Sequence, residues 1–574
     1  MDQQIIANAQ KWLDGNYDLE TKSQVQKLLN EQGDELIDSF YRELEFGTGG
    51  LRGIMGVGSN RMNKYTVGMA TQGLANYLLN KYSGKKISVA IAYDCRNNNT
   101  FFEGISTDVL TANGISVYRF DALRPTPELS FAVRHFGCQS GIVITASHNP
   151  SEYNGYKVYG EDGGQLISPD DEMVIEEVRK IASIDDVKFV GNPSLVTVIG
   201  DEIDELYTNA IQSISLNPEL IAKYHDLKIV YTPIHGTGVK LVPMALKKFG
   251  FTNIINVAEQ DVVDGNFPTV KSPNPEEPAA LAMAIEKAKK ENADLVMASD
   301  PDADRVGIAV RNKNNEFTLL NGNQTATLLF YYVLNQWKEN GQLSGKEFIV
   351  KTVVTSELLI DIAKSMQIET YDVLTGFKYI AQIIREQEGK KQFILGGEES
   401  YGYLIGDFVR DKDAVASCCF IAEAYAYAVS KGKGMEELLA EIYKEFGFYL
   451  ESLKSVTKKG KAGADEIQQM MVNYRQNTPV MINNSKVVCI KDYEMQVSKN
   501  LISGETKAID LPKSNVIQLF TEDGSKITMR PSGTEPKIKF YFGVKGELNN
   551  TEDYFKVKDN LEQQIKNIIA DLGL

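Results

Sequence analysis

Four short polar loops, near residues 147, 300, 397 and 532, each follow an apolar run that predicts a buried β-strand. The stretch between consecutive loops is long enough to form a domain, and strand and helix signals alternate along it, which indicates α/β layers. A length of 574 residues corresponds to about four domains of ordinary size. We therefore expect four modules whose loops meet at one cleft.

The first loop, residues 145–150, places a serine beside a histidine at the end of the apolar run 141–144. Ser147 is a candidate nucleophile, because the imidazole of His148 can help to remove its proton. The spacing does not match a GxSxG nucleophile elbow. The alternative is that Ser147 or Asn149 only caps a following helix, and the loop alone leaves both interpretations open.

The second loop follows the apolar run 295–298 and carries carboxylates at alternate positions, Asp300, Asp302 and Asp304. Carboxylates spaced in this way can converge on one centre, and hard oxygen ligands suit magnesium or calcium. The loop is not an EF-hand, since it lacks the glycine and the glutamate of that motif. A solvated acidic turn is the alternative, but the adjoining Arg305 and the buried strand favour a functional loop.

The third loop, residues 396–402, follows the apolar run 393–395. Its glycines permit close approach of a ligand, and Glu398 and Ser400 offer paired hydrogen-bonding groups for hydroxyls. The loop is thus a candidate polyol-binding segment. Gly-Glu-Ser turns are common, however, so an ordinary turn is the alternative.

The fourth loop, residues 530–537, lies between the strand-like runs 526–529 and 538–542. Backbone N–H groups around a glycine, two hydroxyls and a guanidinium form a good phosphate cradle. A structural hairpin turn is the alternative, although this clustering of Arg, Ser, Gly and Thr exceeds what a turn requires.

The four loops together describe phosphoryl transfer to and from a serine. A divalent metal beside a serine that handles phosphate indicates a phosphoseryl intermediate, and the cation with nearby Arg and Lys would stabilise the transferring group. The set resembles the α-D-phosphohexomutase superfamily, whose members move phosphate between the C1 and C6 oxygens of a hexose. Residues 46–53 and 397–404 resemble its phosphoglucomutase branch, which includes phosphopentomutase-like enzymes. The resemblance covers nearly the whole chain, with the motifs in order.

The resemblance implies an α/β fold of three related α/β domains with mixed sheets and a smaller C-terminal α+β domain around a central cleft. We name the four loops, in chain order, the serine, metal, sugar and phosphate loops. We expect one domain for each: residues 1–203 carry the serine loop, 204–318 the metal loop, 319–450 the sugar loop and 451–574 the phosphate loop. Within these domains, the patterns predict helical stretches over 4–29 and 324–337 and a C-terminal helix through Leu572. The polar stretch 457–464 is typical of a flexible loop or hinge.

The resemblance also implies site roles. Ser147 would carry the phosphate, and Mg²⁺ would be held by a phosphoserine oxygen of Ser147 together with Asp300, Asp302 and Asp304. The basic residues expected around the reacting centre, one of which would be the general acid or base, are Arg52, His148, Lys157 and Lys378. The metal loop departs from the commoner pattern only at its spacers, Pro301 and Ala303.

Substrate contacts follow from the same resemblance. Glu398 and Ser400 would bind the sugar at O3 and O4. The segment around Thr375 and Gly376 would distinguish sugar orientations, and Arg305 would contact substrate from the metal loop. The non-reacting phosphate would be held by Arg530, Ser532, Gly533 and Thr534.

The activity implied is interconversion of glucose 1-phosphate and glucose 6-phosphate, with glucose 1,6-bisphosphate as intermediate and activator. Mannose or pentose phosphates and bisphosphate synthesis are alternatives within this class. A metal-dependent phosphatase would need water access at Ser147. A non-catalytic sugar-phosphate sensor would be expected to lack the serine or an aspartate, and all are present.

Composition agrees with a cytoplasmic enzyme of small sugar phosphates. The net charge of −16 argues against nucleic-acid partners, which need a positive face. Five cysteines without metal-binding spacing are typical of reduced thiols, with the pair at 418 and 419 in the core. The N-terminus lacks a signal-peptide pattern, and no apolar run is long enough to span a bilayer. We expect a monomer or a homodimer.

Overall fold

The computed structural model describes residues 3–47, 49–458, 460–532 and 537–574. Four β-sheets follow one another along these residues. The first three are mixed sheets flanked by helices, and the fourth is antiparallel and accompanied by two helices. The predicted class, three α/β units followed by a C-terminal α+β unit, is confirmed.

Three helices precede the first sheet: α1 (Gln3–Asp14), α2 (Leu19–Glu31) and α3 (Asp34–Phe40). The single helical stretch predicted over 4–29 is therefore wrong, because the chain breaks between α1 and α2. Asp18 is the N-cap of α2, and its carboxylate accepts the N–H of Thr21, which starts a new helix at this point. Trp12 packs edge to face against Phe40 and joins the three helices in a small apolar core.

The first sheet has six strands. The elements of this unit are β1 (Gly50–Ile54), α4 (Lys64–Lys81), β2 (Ser88–Tyr93), α5 (Asn99–Ala112), β3 (Ser116–Phe120), α6 (Thr126–Phe136), β4 (Ser140–Ile144), β5 (Tyr153–Gly160), α7 (Asp170–Arg179) and β6 (Val196–Ile199). Their spatial order is β1-β5-β4-β2-β3-β6. The pairs of β4 with β2, β2 with β3 and β3 with β6 are parallel. The serine loop leaves the carboxyl end of the central strand β4, where parallel sheets usually bind ligands.

The second sheet has five strands in the order β11-β10-β9-β7-β8. The elements are α8 (Asp201–Ser213), α9 (Pro218–Lys223), β7 (Ile229–Thr232), α10 (Gly238–Phe249), β8 (Ile254–Asn256), α11 (Ala258–Asp261), α12 (Pro278–Glu291), β9 (Leu295–Ser299), β10 (Val306–Arg311) and β11 (Phe317–Leu320). The metal loop is the tight connection between β9 and β10, which pair antiparallel.

The third sheet has four strands in the order β13-β12-β14-β15. The elements are α13 (Gly322–Glu339), β12 (Glu347–Thr352), α14 (Leu358–Ser365), β13 (Glu369–Val373), α15 (Phe377–Gln387), β14 (Gln392–Gly397), β15 (Tyr403–Ile405), α16 (Ala414–Ser430) and α17 (Met435–Phe446). The sugar loop connects β14 to β15. Cys418 and Cys419 are buried free thiols on α16, which confirms that this pair belongs to the core.

The fourth sheet has eight strands, and every recorded pair in it is antiparallel. The elements are β16 (Phe448–Thr457), α18 (Gly460–Gln476), β17 (Met481–Ile482), β18 (Ser485–Asp492), β19 (Val497–Asn500), β20 (Thr506–Ala508), β21 (Ile517–Thr521), β22 (Lys526–Pro531), β23 (Lys537–Gly546) and α19 (Tyr554–Asp571). The prediction of a flexible loop over 457–464 is wrong from Gly460 onward, where α18 begins; Lys459 lies outside the described residues.

One apolar core runs through the second, third and fourth sheet units, from Tyr207 on α8 to Ile568 on α19. The first unit has cores of its own on the two faces of its sheet. Because the strands that carry the loops are buried in these cores, each loop begins at a strand end that is fixed within its own unit. Across the described residues, no helix is both long enough and apolar enough to cross a membrane.

Candidate active site

The serine loop of the first unit meets the metal loop of the second. Ser147 Oγ donates a hydrogen bond of 2.7 Å to Asp300 Oδ2, and it lies 3.1 Å from His148 Nδ1. Ser147 is only 4% exposed, and Asp300 is fully buried. Two residues 153 positions apart thus form one polar centre with little access to water.

The backbone of Ser147 is held in an unusual conformation. Its φ is +51°, in the left-handed region that side-chain-bearing residues seldom adopt. Its N–H donates to Thr145 Oγ1 at 2.8 Å, and Thr145 Oγ1 in turn donates to Asp94 Oδ2 at 2.5 Å. The next element is strand β5, so the alternative that the loop caps a following helix is wrong.

The three carboxylates of the metal loop converge. Asp300, Asp302 and Asp304 each offer an oxygen within 4.8 Å of the others, and all three are at most 2% exposed. The Oδ1 atoms of Asp302 and Asp304 are buried without a hydrogen-bond partner in the part of the chain that the structure describes. Buried carboxylate oxygens left unpaired are costly, so the donor set fits a hard divalent cation. The alternative of a solvated acidic turn is wrong.

Two lysines partly neutralise these carboxylates. Lys157 Nζ, on β5, lies 2.8 Å from Asp302 Oδ2 and 3.5 Å from Asp304 Oδ2. Burial opposes ionisation of Asp302, but Lys157, with help from Asp300 and Lys412, outweighs it and holds the pKa of Asp302 below its usual range. Burial and the neighbouring carboxylates raise the pKa of Asp300 well above its usual range. A cation close to Asp300 would therefore favour its ionised form.

The second lysine is Lys412, which sequence reasoning missed. Its Nζ lies 3.2 Å from Asp304 Oδ2 and 2.9 Å from Asp411 Oδ1. Burial disfavours the ammonium, yet the two carboxylates outweigh it and raise the pKa of Lys412. The signal available in the sequence was the charged run 410–413 between the buried strand β15 and the apolar helix α16.

The surroundings of His148 lower its pKa and favour the neutral imidazole. Burial lowers its pKa, and the positive charges of Arg305, Arg52 and Lys157 lower it further, against the opposing effect of Asp302. A neutral imidazole has one ring nitrogen free to accept a proton. His148 Nδ1, beside Ser147 Oγ, is placed to do so.

The sugar loop contacts two other predicted segments. Glu398 Oε1 accepts the N–H of Gly376 at 2.9 Å, which brings the segment around Thr375 against the third loop. Arg305 Nη1 donates to the carbonyl oxygen of Ser400 at 3.1 Å and to Glu276 Oε1 at 3.0 Å. The guanidinium of Arg305 therefore joins the metal loop to the sugar loop.

Part of the phosphate loop lies in the described residues. Arg530 is half-buried and donates to the hydroxyl of Tyr541 at 3.2 Å, and the electrostatic field of its guanidinium reaches Glu399. The N–H of Ser532 donates to the carbonyl oxygen of Lys537 at 2.7 Å. Gly533 and Thr534 lie outside the described residues.

The remaining predicted basic residues differ in position. Arg52 on β1 is exposed and donates to Asn149 Oδ1 of the serine loop at 3.2 Å. Lys378 on α15 instead pairs with Asp171 of α7, with 3.7 Å between Nζ and Oδ2. The structure thus gathers Arg52, His148 and Lys157 at the serine and places Lys378 where the first and third units meet.

Comparison with known proteins identifies the family. Models of the phosphoglucomutase/phosphomannomutase α/β/α domains I, II and III match residues 43–185, 205–313 and 321–446. A phosphoglucomutase of Staphylococcus haemolyticus is 38% identical over 535 residues, covering 92% of this chain and 94% of that protein. A phosphoglucomutase of Staphylococcus aureus is 40% identical over 528 residues, with 91% and 94% covered.

Solved structures share the fold. The phosphoglucomutase pp63/parafusin of Paramecium aligns with a TM-score of 0.70 at 18% identity and covers 93% of this chain and 96% of its own. A putative phosphomannomutase of Thermus thermophilus aligns with a TM-score of 0.68 at 19% identity, with 92% and 98% covered. With the family models and the relatives about 40% identical, these findings show that the chain is an isomerase of the phosphoglucomutase/phosphomannomutase family and belongs to the phosphoglucomutase branch of the α-D-phosphohexomutases.

Proposed function

We propose that this enzyme is a magnesium-dependent mutase that interconverts glucose 1-phosphate and glucose 6-phosphate through a phosphoserine at Ser147. The hydrogen bond from Ser147 Oγ to Asp300 Oδ2 carries the proposal, because it joins a candidate phosphoryl acceptor to a candidate cation site. The relatives about 40% identical are phosphoglucomutases, which supports glucose over mannose or pentose phosphates.

In the proposed cycle, the free hydroxyl of a sugar monophosphate attacks the phosphorus on Ser147, and the bond from phosphorus to Oγ breaks. The hydroxyl proton ends on Oγ, and glucose 1,6-bisphosphate results. After the bisphosphate turns round, Ser147 Oγ attacks its other phosphate, and His148 Nδ1 accepts the Oγ proton for transfer to the departing sugar oxygen. Because the bisphosphate restores the phosphoserine, it also serves as activator.

Mg²⁺, held by Asp300, Asp302 and Asp304, would supply positive charge that stabilises the transferring phosphoryl group. Lys157 and Lys412 border the same carboxylates and add fixed positive charge. The low exposure of Ser147 limits water at the phosphoserine, which favours a mutase over a phosphatase.

The sugar ring and the non-reacting phosphate are assigned to the third and fourth loops, while the reacting hydroxyl faces Ser147. We assign the sugar hydroxyls to Glu398 and Ser400, with Arg305, Thr375 and Gly376 beside them. The non-reacting phosphate goes to the fourth loop, through Arg530, Ser532, Gly533 and Thr534. Arg52 and Lys378 contribute positive charge at the rim of the cleft.

The assignment is tested with a coupled assay that reports glucose 6-phosphate formed from glucose 1-phosphate, with and without glucose 1,6-bisphosphate. Ser147→Ala is expected to abolish turnover and to remove the phosphoryl mass that the bisphosphate adds to the intact protein. Ser151→Ala, at the other serine in the connection between β4 and β5, is the matched control and is expected to retain activity. Robust isomerisation without any label at Ser147 would refute the mechanism, and a preference for mannose or ribose phosphates would refute the substrate.

The remaining features proposed are domain boundaries near residues 203, 318 and 450, a cytoplasmic location and a monomer or homodimer without nucleic-acid partners. The four sheets support the division into four domains, and the net charge of −16 speaks against nucleic-acid partners. Light scattering of the purified protein tests the oligomeric state.

A further inference from the structure

Arg96 lies three residues beyond the end of β2, and its side chain is fully buried beneath the serine loop. Its guanidinium donates to four backbone carbonyls. Nη1 donates to Pro150 and Tyr153 at 2.7 and 2.9 Å, and Nη2 donates to Ser147 at 2.7 Å and also to Asn149. The four acceptors lie between Ser147 and Tyr153, the first residue of β5, so one rigid, planar group spans most of the connection from β4 to β5.

Arg96 is not explained as one half of a structural ion pair. Its nearest carboxylate is Asp94, whose Oδ2 lies 3.6 Å from Nε, and Nε has no hydrogen-bond partner among the residues described. Asp94 instead accepts the backbone N–H of Arg96 at 2.8 Å and the hydroxyl of Thr145. Two of the three residues that follow β2 therefore hold the serine loop: Asp94 binds the Thr145 hydroxyl, and Arg96 binds the loop carbonyls.

The second unit closes over Arg96. The ring of Phe267 lies 5.3 Å from the guanidinium carbon, within the range of a cation–π contact. Gly265 packs against the backbone of residues 95–97 so closely that a Cβ there would come within 2.6 Å of Asn97 N. We call Arg96 and its four carbonyl acceptors the clamp. Phe267 and Gly265 shield the clamp from water, which strengthens its hydrogen bonds.

We propose that Arg96 is a positioning residue for phosphoryl transfer. By binding the Ser147 carbonyl while Thr145 binds the Ser147 N–H, the clamp holds this residue in its left-handed conformation and aims Oγ at Asp300. A residue kept in such a conformation needs surroundings that determine it fully. Arg96 acts on Ser147 through backbone hydrogen bonds and is not among the residues assigned to sugar binding. We therefore expect it to affect the phosphoryl-transfer step rather than substrate affinity. The inference rests on the proposed function.

The test compares Arg96→Lys and Arg96→Gln with Arg61→Lys. Arg61→Lys is the matched control. Arg61 is also a buried arginine of the first unit, and it donates to the carbonyl oxygens of Asp38 and Asn60 and pairs with Glu35. Lysine keeps the charge but cannot reproduce the planar fork. For Arg96→Lys we expect kcat to fall about 100-fold while KM for glucose 1-phosphate changes less than about threefold, because a small misplacement of the nucleophile affects the transfer step.

Two further measurements separate positioning from folding. The rate at which glucose 1,6-bisphosphate phosphorylates Ser147, followed by intact mass, is expected to fall with kcat in Arg96→Lys. Amide hydrogen exchange across residues 145–153 is expected to rise in this variant and to stay unchanged in Arg61→Lys, even where both melt at similarly lowered temperatures. The proposal is overturned if the Arg96→Lys and Arg61→Lys variants have the same kcat, or if Ser147 of the Arg96→Lys variant is phosphorylated at the wild-type rate.

The outcome is distinguishable from failure of the proposed function. Wild-type protein that takes phosphate at Ser147 but does not isomerise glucose phosphates overturns the proposed substrate, and the phosphorylation rates of the variants still decide the role of Arg96. Wild-type protein that is never phosphorylated at Ser147 overturns both.

Discussion

Thr126 Oγ1 donates a hydrogen bond of 3.1 Å to Asp302 Oδ2, and the Thr126 N–H donates to the Asp302 carbonyl oxygen at 2.9 Å. Thr126 begins α6 in the first unit, whereas Asp302 lies in the metal loop of the second. One carboxylate of the cation site is thus oriented from a neighbouring domain, both through its side chain and through its backbone.

Removing this hydroxyl is expected to weaken cation binding. Thr126→Val keeps the branched shape but removes one hydrogen-bond donor from Asp302 Oδ2, and loss of such a supporting hydrogen bond typically lowers metal affinity about 10- to 100-fold. Calorimetric titration of the purified protein with Mg²⁺ or Mn²⁺ measures the effect. Thr126→Ser, which retains the hydroxyl, is the control, and equal affinities for Thr126→Val and wild type would contradict the prediction.

Removal of the cation is expected to destabilise the protein. The three buried carboxylates repel one another when no cation is bound, and a ligand that binds only the folded state at 100 times its dissociation constant contributes about 2.7 kcal/mol. The melting temperature of wild type is therefore expected to rise as Mg²⁺ is titrated into chelator-treated protein. In Asp302→Asn this dependence is expected to be much weaker; a wild-type melting temperature indifferent to Mg²⁺ would speak against the cation site.

Glu398 is expected to contribute to substrate binding. Glutamine at this position can still accept the Gly376 N–H but offers no charge to a sugar hydroxyl, and hydrogen bonds to charged groups contribute about 1.5–3 kcal/mol. Glu398→Gln should raise KM for glucose 1-phosphate at least about tenfold. Glu386→Gln, on the exposed face of α15, is the control for a charge lost nearby. An unchanged KM in the first variant would remove Glu398 from the substrate contacts.

The buried carboxyl group of Glu423 is expected to make the stability of the protein depend on pH. It lies buried on α16, and its Oε1 accepts from Ser215 Oγ and from the N–H groups of Leu216 and Asn217. Burial raises its pKa from 4.5 to about 7. Folding thus favours the protonated form of Glu423. Its contribution to the free energy of unfolding is fully present below pH 4.5 and is lost as the pH rises through about 7. The loss amounts to up to about 3 kcal/mol.

Glu423→Gln replaces this carboxyl with a group that stays neutral. Thermal unfolding measured from pH 5 to pH 8 is therefore expected to show the variant gaining on wild type as the pH rises. Parallel pH profiles for the two proteins would mean that Glu423 does not titrate in this range.

The local sequence pattern predicted helices and strands correctly where burial and intrinsic propensity favour the same structure. The predicted helix over 324–337 lies within α13, and the apolar runs before all four loops are strands. Prediction failed at 457–464, where lysine and glycine indicated a hinge. Residues 460–464 instead belong to α18, which buries Ile467 and Met471 against the fourth sheet, so tertiary packing overrode weak local propensity.

The chain alone determined which chemical groups are available. The residue types of the serine, metal, sugar and phosphate loops, and their positions after apolar strands, are local properties and can be read from spacing and order. Only the tertiary structure decided which groups meet. Ser147 touches Asp300, Thr126 orients Asp302, and Lys412 and Arg96 enter the site although neither stands in one of the four loops. Hydrogen bonds and ion pairs depend on distances of about 3 Å, and the packing of sheets from different units sets those distances.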